Sequence, residues 1–128
     1  MKPFTLAVSG LIAGFALGVG VVEGLHAQAA PPAYVISEID VTNADAYAKE
    51  YVPLANKALA DSGQKRLASG GKTISLSGAP PAARIVVSMF DSLEKARVAY
   101  TSPAYLEARR IGDKYGKLRI FAVEGIAQ

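Results

Sequence analysis

Arg84-Ile-Val-Val-Ser-Met-Phe90-Asp-Ser-Leu-Glu94 is the stretch on which the reading of the fold turns. Seven residues rich in β-branched and aromatic types predict a strand, and a helix start follows at once. Asp91 with Glu94 three residues on reads as a capping-box-like start, and the helix carries Leu93, Ala96 and Tyr100. Ser102-Pro103 then begins a second helix, because serine caps and proline suits a first turn. Tyr105, Ala108 and Gly112 line one side of it, and Lys117-Leu-Arg-Ile-Phe-Ala-Val123 follows as the last strand.

Upstream the same logic repeats. Tyr34-Val-Ile-Ser-Glu-Ile-Asp-Val41 reads as a strand. Thr42-Asn43 caps a helix with Asp45 in its first turn. Tyr47, Tyr51, Leu54, Ala55, Ala58 and Leu59 form its apolar stripe. Pro53 predicts a kink or restart, and Ser62-Gly63 an end. Gln64 to Ser69 is a further strand, Gly70-Gly71 a bulge or bend, Lys72 to Ser77 a continuing extended segment, and Gly78 to Ala83 a loop. The order β-α-β-β-α-β, with the second helix broken in two, predicts an α+β ferredoxin-like fold. Its antiparallel sheet would carry helices on one face.

Ahead of this domain stands a leader. Met1 to Ala29 holds one lysine, Lys2, an apolar run from Phe4 to Val22, and the small-residue pattern Ala27-Gln28-Ala29. That is the form of a secretory signal peptide, and it predicts Sec-type export to the periplasm or beyond. An uncleaved membrane anchor is the alternative, since the run approaches spanning length and Gly10, Gly14 and Gly18 fall at helix-packing spacing. Residues 30–33, with Pro31-Pro32, read as a stiff linker, and residues 34–126 as the domain.

Cleavage would remove the only histidine, His26, leaving a mature chain without His, Cys or Trp. Ser-His and Cys-His nucleophilic catalysis then lack their base. No metal or cofactor is expected: only carboxylates remain as ordinary ligands, with no calcium-loop spacing, and a haem would lack its usual His or Cys. The net charge of +3 is scattered, so no nucleic-acid partner is expected. Gly70-Gly71-Lys72-Thr73 ends like a phosphate-binding loop, but Arg66 stands where the motif needs its first glycine and a strand follows.

From Tyr34 onwards the chain resembles the domain of unknown function 1330 family, within the dimeric α/β-barrel superfamily. The resemblance rests on Tyr34 to Val41, Tyr47 with Tyr51, Leu67-Ala-Ser-Gly-Gly71, Phe90-Asp-Ser-Leu-Glu-Lys-Ala96, Ser102-Pro-Ala-Tyr105 and Val123-Glu-Gly125. Two departures stand out: Ser69 where the family often has an arginine, and Tyr100 where it often has a tryptophan. The resemblance implies a homodimer whose two sheets pack face to face. It implies no established reaction.

Strand alternation supplies the candidate site. Ile36, Glu38 and Asp40 share one face of the first strand. Arg84, Val86, Ser88 and Phe90 share one face of the third, and Arg119, Phe121 and Val123 one face of the fourth. If helices cover the purely apolar set of each strand, these mixed faces line the space between two sheets. Glu38, Arg84, Ser88 and Arg119 would then form a polar cluster walled by Phe90 and Phe121, a site for a small polar or aromatic molecule. A plain ion pair between Glu38 and an arginine is the simpler alternative. The four tyrosines on helical stripes, Tyr47, Tyr51, Tyr100 and Tyr105, read as core packing. Three functions stay open: an exported dimeric small-molecule binder, a cofactor-free oxygenase or isomerase with Glu38 as base, and a structural or interaction protein with a filled barrel.

Overall fold

A computed structural model describes residues 30–127; the leader expected over residues 1–29 lies outside the described residues. Strand β1 (Ala33–Val41) begins one residue before the expected start, so Ala33 belongs to the sheet and is fully buried. Pro32 is also tied in, its carbonyl accepting from the Gly125 amide at 2.7 Å.

Residues 44–61 form one helical segment, α1, made of Ala44–Ala46, a π-helical turn Tyr47–Tyr51 and Val52–Asp61. Asn43 caps it, its Oδ1 accepting from the Ala46 amide at 3.1 Å. The π-turn has a local cause. Pro53 has no N–H to give the Lys49 carbonyl, and the Val52 amide bonds instead to the Tyr47 carbonyl. The restart expected at Pro53 takes this form.

Strand β2 (Lys65–Ser69) pairs with β3 (Arg84–Phe90), with its register break between Arg66 and Ala68 rather than at the glycines. Gly70 instead takes a left-handed φ of 69°, and its amide bonds to the Ile85 carbonyl at 2.9 Å. The segment after it, expected to continue extended, pairs with no strand among the described residues. Its Ile74 and Leu76 stand 78% and 87% exposed.

Helix α2 (Leu93–Thr101) is capped by Ser92, not Asp91: the Ser92 Oγ accepts from the Lys95 amide at 3.1 Å. Glu94 instead pairs with Arg97, one turn on. Ser102 then serves two helices, donating to the Ala99 carbonyl at 2.9 Å and accepting from the Tyr105 amide at 3.3 Å as cap of α3 (Pro103–Tyr115). Strand β4 (Gly116–Glu124) ends the fold.

The sheet order is β2-β3-β1-β4, antiparallel throughout, with helices over one face: the α+β ferredoxin-like fold. Val35, Ile39 and Phe90 of the sheet meet Tyr51, Ala55, Leu59, Ala96, Tyr105 and Ala108 of the helices in one core. Full burial of a side chain such as Phe90 contributes about 1.5–3 kcal/mol. The helices approach closely where Gly112 of α3 faces Tyr51, since a Cβ there would lie 2.5 Å from the Tyr51 Cδ1. Gly112→Ala should therefore lower the melting temperature, overpacking by about 1–3 kcal/mol outweighing a helix-propensity gain of about 1 kcal/mol. Thermal unfolding followed by circular dichroism reads it.

Candidate functional site

The β1–β3 register pairs Ile39 with Arg84, Ser37 with Val86, Val35 with Ser88 and Ala33 with Phe90. Val35 and Ile39 pack under the helices, so Arg84, Ser88 and Phe90 do too. Glu38 pairs across β1–β4 with Arg119, and Ile36 with Phe121, on the opposite, uncovered face. The six expected site residues therefore do not form one cluster. Glu38, Arg119 and Phe121 stay together; Arg84, Ser88 and Phe90 lie on the other side of the sheet.

The division has a physical origin. On β1 and β4 the apolar set does face the helices. On β3 it faces outward: Ile85, Val87 and Met89 join Tyr34, Ile36, Phe121 and Val123 on an apolar open face. Polar β3 residues can turn inward because a cavity receives Arg84 there and the Tyr100 hydroxyl lies near Ser88.

On the open face, Glu38 forms an ion pair with Arg119, whose guanidinium also stacks over Phe121 at 5.0 Å. Glu38 and Arg119 line a groove of about 400 Å³ beside Pro80-Pro81, where Asp40 Oδ1 accepts from the Ala83 amide at 3.2 Å. The groove is broad and open to solvent, and its Glu38 is already paired. Its size alone does not make it the better site.

The second cavity, about 70 Å³, lies between α1, the end of α2, the start of α3 and the inner sheet face. Tyr47, Tyr51, Tyr100 and Tyr105 reach it with Ser37, Gln64, Arg66 and Arg84. Tyr51 and Tyr105 share a hydrogen bond of 3.1 Å between hydroxyls, and Gln64 Nε2 donates to the Tyr100 hydroxyl at 3.3 Å. The rings interlock: Tyr47 lies 5.0 Å from Tyr51, and Tyr100 4.7 Å from Tyr105 nearly edge-on. Behind Tyr100, the buried Ser88 Oγ completes no hydrogen bond of good geometry, although the two hydroxyls lie close enough to interact.

Burial pushes all four tyrosine hydroxyls above their ordinary pKa. For Tyr47 the Arg84 guanidinium pulls the other way; for Tyr51 the neighbouring Tyr105 adds to the rise. At neutral pH the cavity therefore offers neutral hydroxyl donors beside two guanidinium groups. Its lining includes no carboxylate. Alternation along the helix marked the tyrosines, but as packing; their second role, and the parts of Gln64 and Arg66, had no sequence signal beyond their residue types. Among the described residues no group of three or more metal-ligating side chains gathers, and no helix is long and apolar enough to cross a membrane.

An antiparallel four-stranded sheet with a one-sided helical layer enclosing a tyrosine-lined cavity defines a ferredoxin-like α+β domain. The chain belongs to the family described as domain of unknown function DUF1330, which matches residues 32–126. A comparison with curated proteins found no match. Among solved structures, a protein of unknown function from Rhodopseudomonas palustris is similar with a TM-score of 0.60 at 15% identity, over 85% of this chain and 94% of that one. SnoaB, a cofactor-independent oxygenase from Streptomyces nogalater, is similar with a TM-score of 0.53 at 10% identity, over 77% of this chain and 97% of that one. At such identities the likeness is one of fold.

Tyr105→Phe should leave the buried Tyr51 hydroxyl without its partner and cost about 1–2 kcal/mol, read as a lowered denaturation midpoint. The pH dependence follows from the same groups. Above the ordinary tyrosine value of 10.0 the unfolded chain releases protons that the folded chain keeps, so stability falls as pH rises past it. Below that pH both states hold these protons and the tyrosines contribute no slope. Midpoints measured from about pH 8 to about pH 11 should be flat with respect to these groups and then decline, less steeply in Tyr100→Phe.

Proposed function

We propose that this domain is an exported small-molecule-binding module that works as a homodimer, and that it takes its ligand in the cavity between helices and sheet. The observation that carries this is the ring of buried tyrosine hydroxyls on a cavity that reaches the surface at Asn56, Arg66 and Ser69. Apolar walls with a few convergent polar groups are how small-molecule sites are built. The site thus lies on the other side of the sheet from an inter-sheet pocket around Glu38.

Export rests on the leader sequence from Met1 to Ala29. The homodimer is supported by the uncovered face, where Phe121 and Val123 are 42% and 51% exposed beside Ile36, Val87 and Met89. A sheet face left to solvent would ordinarily be polar.

An enzyme reading draws on SnoaB, which is named a cofactor-independent oxygenase and shares the fold. In this chain Glu38 is a poor base for it, being paired with Arg119 and turned away from the tyrosines. Any chemistry in the cavity would run on hydroxyl and guanidinium groups.

Native mass spectrometry of protein recovered from the periplasm tests the proposal in one measurement. The expected spectrum shows a dimer of chains lacking residues 1–29 and a retained small molecule that Tyr105→Phe or Arg84→Met depletes. A monomer that keeps its leader, or a ligand unaffected by both variants and lost in Glu38→Gln, overturns it.

A further inference from the structure

Arginine pairing in this chain is uneven. Arg97, Arg109, Arg110 and Arg119 sit on Glu94, Asp113, Glu107 and Glu38 respectively. Arg66 and Arg84 are the remaining arginines, and among the described residues neither has a carboxylate partner. Both line the tyrosine cavity. Both guanidinium groups without a carboxylate partner thus line a cavity whose wall includes no carboxylate.

Solvation of a surface does not explain Arg84. Its register opposite Ile39 turns it under the helices, and it is half-buried. Its guanidinium lies across Gly70, where a Cβ would come within 2.1 Å of Nη1, and its Nη2 donates to Ser69 Oγ at 3.2 Å. A side chain at position 70 would displace it, so the glycine opens the space the guanidinium fills. Arg66, at the mouth, spans from β2 to α1 by donating Nη2 to Asn56 Oδ1 at 2.6 Å. Each guanidinium carries five donors and uses one in these bonds. A partly desolvated guanidinium normally meets a carboxylate, whose geometry its planar fork matches.

Resting on the binding reading of the cavity, we propose that its ligand is a small carboxylate. Arg84 grips the carboxylate from the sheet side and Arg66 closes over it at the mouth. The neutral Tyr47 and Tyr100 hydroxyls donate to its oxygens, and the apolar walls of Val52, Ala55 and Ile120 hold its body. A cavity of about 70 Å³ limits the part that enters to a few heavy atoms, so a larger acid would leave its tail outside.

The test titrates the full chain with benzoate and with benzamide, a neutral molecule of nearly the same shape, at constant ionic strength. Tyrosine ring resonances report binding at the cavity. Benzoate is expected to shift the Tyr47 and Tyr100 signals saturably, with benzamide at least about tenfold weaker, the loss of one charge-assisted contact. Arg84→Met and Arg66→Met should each weaken benzoate by about tenfold and benzamide by markedly less, the neutral carbonyl losing an ordinary rather than a charge-paired hydrogen bond. Arg66 is exposed, so its variant stays informative if Arg84→Met unfolds; Arg84→Lys, keeping the charge without the fork, should fall between. Equal binding of the two probes, or benzoate affinity untouched in Arg66→Met and Arg84→Lys, overturns the carboxylate assignment and leaves the cavity as a neutral site. Silence of the tyrosine signals toward both probes overturns the binding reading with it.

Discussion

The pairing of β1 with β3 is the constraint on which the rest of the molecule depends. Val35 opposite Ser88 and Ile39 opposite Arg84 send a serine and an arginine under the helices. A slip of one residue would exchange the faces, bringing Ile85, Val87 and Met89 inward and leaving Arg84 in solvent. The cavity would then lose the Arg84 guanidinium and the open face its apolar surface. One register thus sets the chemistry of both sides of the sheet.

The helical layer answers that register. Pro53 withholds an amide, the preceding turn widens to a π-helix, and Tyr47 and Tyr51 come to lie side by side. Gly112 admits the Tyr51 ring against α3, and Tyr105 meets its hydroxyl from there. The tyrosines contribute apolar area to the core with their rings and polar lining to the cavity with their hydroxyls. Core and cavity lining are the same side chains, so substitutions here act on the packing and on the cavity together.

The elements themselves were legible because their signals are local. Asn43, Ser62 and Ser102-Pro103 mark helix ends through bonds to atoms a few residues away, and Arg84 to Phe90 is strand by composition alone. The Ser92 cap was misplaced by one residue because Asp91 and Ser92 are both able caps, and only the strand end at Phe90 decides between them. Lys72 to Ser77 alternates like a strand yet pairs with nothing among the described residues, since pairing needs a partner edge that pattern cannot supply. The Glu38–Arg119 contact was within reach because facing positions on adjacent strands follow from alternation.

By itself the sequence determined the order of elements, the fold class, the export leader as an expectation, and the lack of histidine and cysteine after Ala29. All of these follow from residue type and short-range spacing. Only the tertiary structure decided that Arg84 and Glu38 stand on opposite faces, and that Arg66, thirteen residues after Pro53, shares a cavity with four tyrosines. Alternation divides a strand into two faces but does not say which one the helices cover. That choice is made by packing energy summed over the whole sheet, and on β3 it turned an arginine and a serine inward.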